Sequence, residues 1–188
     1  MKNTMKLALS AMFIAVMLVL GYIESMFALG PMPGIKIGLA NGVLLLSLYW
    51  LGIPISLQLM AAKVVLSGLL FGNPMAMQYS LAGGVLSMAG MILTIFVMKG
   101  ISPIGAGIVG GVLHNVGQVS LAMIVLETTS LLYYMAILVV VGAVMGAITG
   151  TVAKTMMHLL PYERRVALGL SGDKSRVEAQ AEEAKKID

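Results

Sequence analysis

The chain has no cysteine, so neither a disulfide framework nor a thiolate metal site can form. It is also poor in charge: Asp, Glu, Lys and Arg make up 11% of its 188 residues, against about 25% in a soluble domain. The first 162 residues contain no aspartate and two acids, Glu24 and Glu127. Paired-carboxylate chemistry and aspartate-rich magnesium motifs are therefore missing from that region. A serine hydrolase built on His114 would lack an acid placed to orient the ring. The two histidines, His114 and His158, are far apart, so no transition-metal site is expected. No Walker loop is present, which removes that route to ATP hydrolysis. No basic–aromatic interleaving marks a nucleic-acid surface. The expectation is a protein that is not an enzyme and carries no cofactor.

Apolar residues make up 59% of the chain. Stretches free of Asp, Glu, Lys and Arg run over 37–62, 64–98, 100–126 and 128–153, after an opening run at 7–23. A spanning helix needs roughly 20 such residues. Gly52-Ile53-Pro54 interrupts the first stretch and Gly72-Asn73-Pro74 the second, both turn signals. The pattern predicts an all-α integral membrane protein of about six transmembrane helices, near 7–28, 36–51, 55–71, 77–98, 103–126 and 131–157. The second and third are short, so a tilted or re-entrant pair is an alternative. The opening lysines and apolar run imitate a signal peptide, but the run is long and more spans follow, so it reads as the first helix.

Charge sets an expected topology. Residues 1–162 hold six Lys/Arg and two acids, while residues 163–188 hold six of each. The sequence thus divides into a transmembrane domain, 1–162, and a polar tail, 163–188, read as a solvated cytoplasmic extension. With six spans, Lys2, Lys6, Lys99, Lys154, Arg164 and Arg165 fall on one side, which the positive-inside rule makes cytoplasmic. Both termini of a multi-pass cell-membrane protein would then be cytoplasmic, with Glu24 and Glu127 facing outside. Lys36 is a cation on the outer side, against the trend.

Polar groups inside the spans are the candidate site residues, because ionisable and amide groups in lipid are expensive. Residues 34–41 read GIKIGLAN and residues 112–118 read VLHNVGQ. His114, Asn115 and Gln118 sit at helical spacing on one broad face. Asn41 and Lys36 lie in the first segment. Lys63 falls midway along the third helix, where it pairs with Glu24, meets an anionic ligand or snorkels to the surface. The set suits a small anionic or electron-rich organic solute. Small-residue stripes mark close helix contacts: Gly107-x-x-x-Gly111, Gly142-x-x-x-Gly146-x-x-x-Gly150, a narrow face of Ser80, Gly83, Gly84, Ser87 and Gly90, and Ala11-x-x-x-Ala15 with Ala8. Three helices in each half, with Asn41 and Asn115 in corresponding places, would make an inverted repeat.

The segments GIKIGLANGVLLLSLYWLG, KVVLSGLLFG, SLAGGVLSMAGM and GGVLHNVGQVSLA together resemble the Gx transporter family. Its members often carry the name heptaprenyl diphosphate synthase component I. The resemblance covers about residues 5–155 and extends more loosely to the S-components of energy-coupling factor (ECF) vitamin transporters. It implies an S-component-like bundle that captures a solute outside and works with an ECF scaffold subunit and two ATPase subunits. It also implies that Ala11 and Ala15 face the scaffold and that the loop from Leu29 to Ile35 covers the site. No residue set diagnostic of a particular vitamin is recognisable. The alternative expectation is a non-catalytic accessory subunit of isoprenoid or quinone metabolism, or of a membrane redox assembly.

Overall fold

The computed structural model describes residues 2–26, 38–71, 74–98 and 101–160. Lys36, the loop before it and the tail from residue 161 lie outside the described residues. The described residues form helices and turns with no strand. The elements are α1 (Lys2–Met26), α2 (Asn41–Trp50), α3 (Ile53–Phe71), α4 (Pro74–Ile92), α5 (Pro103–Val125) and α6 (Leu131–Leu159). A π-turn over Leu93–Val97 continues α4. Pro103 opens α5, where a missing N–H costs nothing, and the Ser102 side chain accepts the Gly105 N–H at 3.2 Å.

Five of these helices are long and apolar enough to cross a membrane; α2 is a shorter apolar helix. The expected second span over 36–51 is thus shorter than its apolar run suggests. Residues 38–40 form a turn and the helix begins at Asn41. Ten residues reach about 15 Å, half of a hydrocarbon core of about 30 Å. Leu44, Leu45 and Leu48 are enclosed, and α2 packs against all five other helices. It is a short central helix ringed by spanning ones.

The chain leaves α2 through Gly52, whose φ of +81° suits only glycine comfortably. There the Ser47 hydroxyl meets Ser56 Oγ at 2.7 Å, and the Ser56 hydroxyl reaches the Gly52 carbonyl at 2.8 Å. These bonds satisfy polar groups at a partly buried reversal.

Antiparallel neighbours follow in chain order. Gly68 of α3 lies against Met77 of α4, Gly90 of α4 against Val109 and Leu113 of α5, and Gly107 of α5 against Gly146 and Gly150 of α6. Tyr22 packs edge-on against Phe71 at 5.7 Å between ring centres, so α1 runs parallel to α3. This order brings Lys6 and Lys154 to the same end of the bundle. An apolar face of α6, including Tyr133, Ile137, Val140, Val144, Ile148 and Val152, is exposed and supplies a surface for lipid.

The glycine stripes of α5 and α6 pack inside the fold, as their spacing predicts. A Cβ on Gly111 would strike the Gly142 carbonyl oxygen. At Gly21, by contrast, an added Cβ would meet only Phe71, at 3.8 Å. Gly111→Ala should therefore destabilise the bundle by about 1–3 kcal/mol through overpacking, whereas Gly21→Ala should be neutral. Thermal unfolding of both variants in detergent tests this; equal melting temperatures would refute the backbone-contact account.

Candidate functional site

The polar residues of the spans gather around the start of α2. Lys63 lies midway along α3, is 6% exposed, and donates from Nζ to Asn41 Oδ1 at 3.2 Å. It does not snorkel to the surface. Because Asn41 opens α2, this bond fixes the helix start at the level of Lys63, deep in the bundle. An ammonium at that depth requires an acceptor, and a carboxamide oxygen provides one without adding a second charge.

From Asn41 the cluster continues to α5 through Gly38. The Gly38 backbone has φ +95°, and a Cβ placed on it would lie 3.0 Å from Asn41 Nδ2 and 3.2 Å from His114 Cδ2. Glycine serves here twice: it adopts the left-handed turn, and it lets backbone lie directly between the amide and the imidazole. His114 is in turn pressed against Gly83 of α4. A side chain there would sit 2.6 Å from the His114 carbonyl oxygen, 2.9 Å from its Nδ1 and 2.7 Å from Gln118 Cγ. One turn of α5 thus meets α4 without intervening side-chain bulk.

Gln118 Nε2 donates to Asn115 Oδ1 at 3.4 Å, and Asn115 Nδ2 donates to the Leu138 carbonyl of α6 at 2.6 Å. Asn115 and Gln118 are fully enclosed. The expected common face of α5 is therefore divided. His114 and Gln118 meet α4, whereas Asn115 crosses to α6 beside Gly142, whose added Cβ would lie 2.6 Å from Asn115 Nδ2. Asn115 also serves as helix-to-helix glue. Its Nδ2 takes a backbone carbonyl that already accepts within α6, a bond of the kind that ties spanning helices together.

Five of the six expected site residues, Asn41, Lys63, His114, Asn115 and Gln118, form this one connected cluster. The sixth, Lys36, lies outside the described residues. Asn41 and Asn115 do not occupy corresponding places: the first opens a short helix, and the second sits at the centre of a full-length one. The inverted-repeat expectation fails at that point. Ala11 and Ala15, with Ala8, lie on an exposed face of α1, opposite buried Phe13 and Met17.

Glu24 is the member of the cluster that the sequence reading left out of the candidate site. It is buried, 3% exposed, and its Oε1 accepts the Leu39 backbone N–H. Leu39 sits in the turn just ahead of Asn41. A signal was present in the pattern: Glu24 falls on the same helical stripe as Phe13, Met17 and Gly21, all of which are buried. The cluster therefore contains a carboxylate as well as Lys63 and His114. No group of three metal-binding side chains gathers among the described residues.

Removing the Lys63 donor while keeping its bulk should loosen the start of α2. For Lys63→Met, backbone amides of residues 38–42 should exchange roughly ten- to hundredfold faster, the equivalent of losing a hydrogen bond to a charged group. Hydrogen-exchange mass spectrometry in detergent measures this directly. Unchanged protection of that peptide would show that the bond does not position the helix.

No curated protein and no solved structure matches the chain in comparison. One family model does, and it covers residues 13–156, which include α2 through α5, most of α1 and α6, and all the polar side chains of the cluster. With a match over most of its length, this multi-pass membrane protein belongs to the family described as heptaprenyl diphosphate synthase component I.

Proposed function

We propose that this protein is the solute-binding membrane subunit of an ECF-type uptake transporter. In this reading it takes a small organic solute, such as a vitamin or cofactor precursor, and separate ATPase subunits supply the energy. The observation that carries the reading is the buried cluster of Lys63, Asn41, His114, Gln118 and Asn115 around the start of a short central helix. Ionisable and amide side chains held at mid-depth between spanning helices are features of solute pathways. A helix that begins inside the bundle, with its N-terminus among those groups, is a binding device of membrane transporters. Lys36 would extend the site toward the outer mouth.

The remaining parts fit a division of labour. The exposed alanine face of α1, with Ala11 and Ala15, offers a smooth surface for a helical scaffold subunit. Lys6 and Lys154 share one end of the bundle, which the positive-inside rule assigns to the cytoplasm, so both termini lie there. The protein works in the cell membrane, is not itself an enzyme, and leaves ATP hydrolysis to its partners.

The family description favours a second reading, a non-catalytic membrane accessory subunit in isoprenoid or quinone metabolism. The first 162 residues have no aspartate, so the magnesium-binding motifs of prenyl chain elongation would have to reside in a partner.

One experiment separates the two. Tagged protein is withdrawn from native membranes in mild detergent, and bound proteins and small molecules are identified by mass spectrometry. The uptake reading expects a membrane scaffold, paired ATPases and a co-purified solute. Gln118→Leu should lose the solute and keep the partners; Ala11→Leu with Ala15→Leu should do the reverse. Recovery of a prenyl synthase in place of ATPases would establish the accessory reading.

A further inference from the structure

The start of α2 brings together three features that point to a particular ligand chemistry. The first is the helix N-terminus itself, whose partial positive charge lies deep in the bundle, where little solvent screens it. The second is Asn41. Its side chain is 4% exposed, and Lys63 occupies its carbonyl oxygen, so the amide nitrogen must point the other way, toward Gly38. Among the described residues that nitrogen has no hydrogen-bond partner. A buried amide donor left unmade is costly, and it marks a place where an acceptor is wanted. The third is Glu24, whose carboxylate already sits on the Leu39 N–H of the same turn.

We propose that the Gly38–Ala40 turn and Asn41 form a carboxylate-binding subsite that Glu24 fills as an intramolecular stand-in until the carboxylate of a solute takes its place. This deepens the uptake reading and rests on it, by naming the solute as a carboxylic acid. The arriving carboxylate accepts from the Leu39 N–H and from Asn41 Nδ2, with the Lys63 ammonium one residue behind as counter-charge. Glu24 lies in the last turn of α1, two residues from its end, and so is close to the outer mouth when it is released. The exchange leaves the number of carboxylates on the turn unchanged, and the subsite is never an empty cluster of donors in lipid.

Chemical rescue with acetate tests this without knowledge of the solute. Glu24→Ala deletes the stand-in and leaves its place open. Acetate should raise the melting temperature of that variant saturably, by about 2–4 °C, while neutral acetamide should not. Adding Asn41→Asp, which sets a negative charge beside the vacated place, should abolish the rescue. If Glu24→Ala does not fold, Glu24→Gln gives the same answer. Its half-saturating acetate concentration should be at least about fivefold below that of the wild type, the lower end of ordinary coupling between sites. Equal action of acetate and acetamide on Glu24→Ala, rescue that survives Asn41→Asp, or equal half-saturation for Glu24→Gln and wild type would each overturn the subsite. A solute that co-purifies and carries no carboxylate would overturn it too while leaving the uptake reading intact.

Discussion

Helix α5 approaches both of its neighbours at backbone distance, and the positions of the other polar groups follow from that approach. Gly107 and Gly111 meet Gly146 and Gly142 on one side, and Gly117 meets the backbone of Ala82 and Gly83 on the other. In a membrane no hydrophobic force drives helices together, so contact of this kind supplies the association that water supplies elsewhere. It also leaves no room to slide. His114, Asn115 and Gln118 are carried inward on the same turns, and their levels are set by which glycine lies opposite. Once His114 is fixed against Gly83, Gly38 can pack only where a missing side chain allows it, and the start of α2 is placed.

The fold was legible wherever the signal was a property of one helix. Long apolar runs located the five spans, and stripes of Gly142, Gly146 and Gly150 announced a buried close contact. What the sequence left obscure depended on depth and on partners. Residues 36–51 are apolar almost throughout, so nothing in their composition separates a full span from a central helix that begins at Asn41. The break is made by the left-handed turn at Gly38 and by the Lys63–Asn41 bond, both of which involve residues distant in sequence. Glu24 stands near a helix end, and only its place on the Phe13–Met17–Gly21 stripe shows that it is buried there. Asn115 and Gln118 were visible as amides in lipid, but their division between α6 and α4 required knowing which neighbour stood on each side.

The proposed uptake reading gives the buried charges of the cluster a reason that packing alone does not. A bundle built only for stability gains little from a lysine, a glutamate and a histidine at mid-depth, and buried ion pairs are often replaceable by apolar packing without loss. Here the ionisable groups stand around α2, the one described helix that is shorter than a candidate span. That helix presents its N-terminus to them, so donors converge on a single turn. Acceptors are scarcer: Asn41 Oδ1 is taken by Lys63, and the carboxylate of Glu24 is committed to a backbone N–H. Under the proposed carboxylate subsite, a solute that supplies acceptors completes the arrangement and one that supplies donors does not.

The central claim is that this cluster meets a solute arriving from water, and the absence of cysteine makes the claim directly measurable. A single cysteine at position 41 (Asn41→Cys) and another on the lipid face (Val140→Cys) can each be challenged with a membrane-impermeant thiol reagent in sealed vesicles of known orientation. The account predicts labelling at position 41 from the outer side alone, and none at position 140. Labelling at neither position, or at position 41 only after detergent opens the bundle, would contradict it and return the cluster to the status of buried glue.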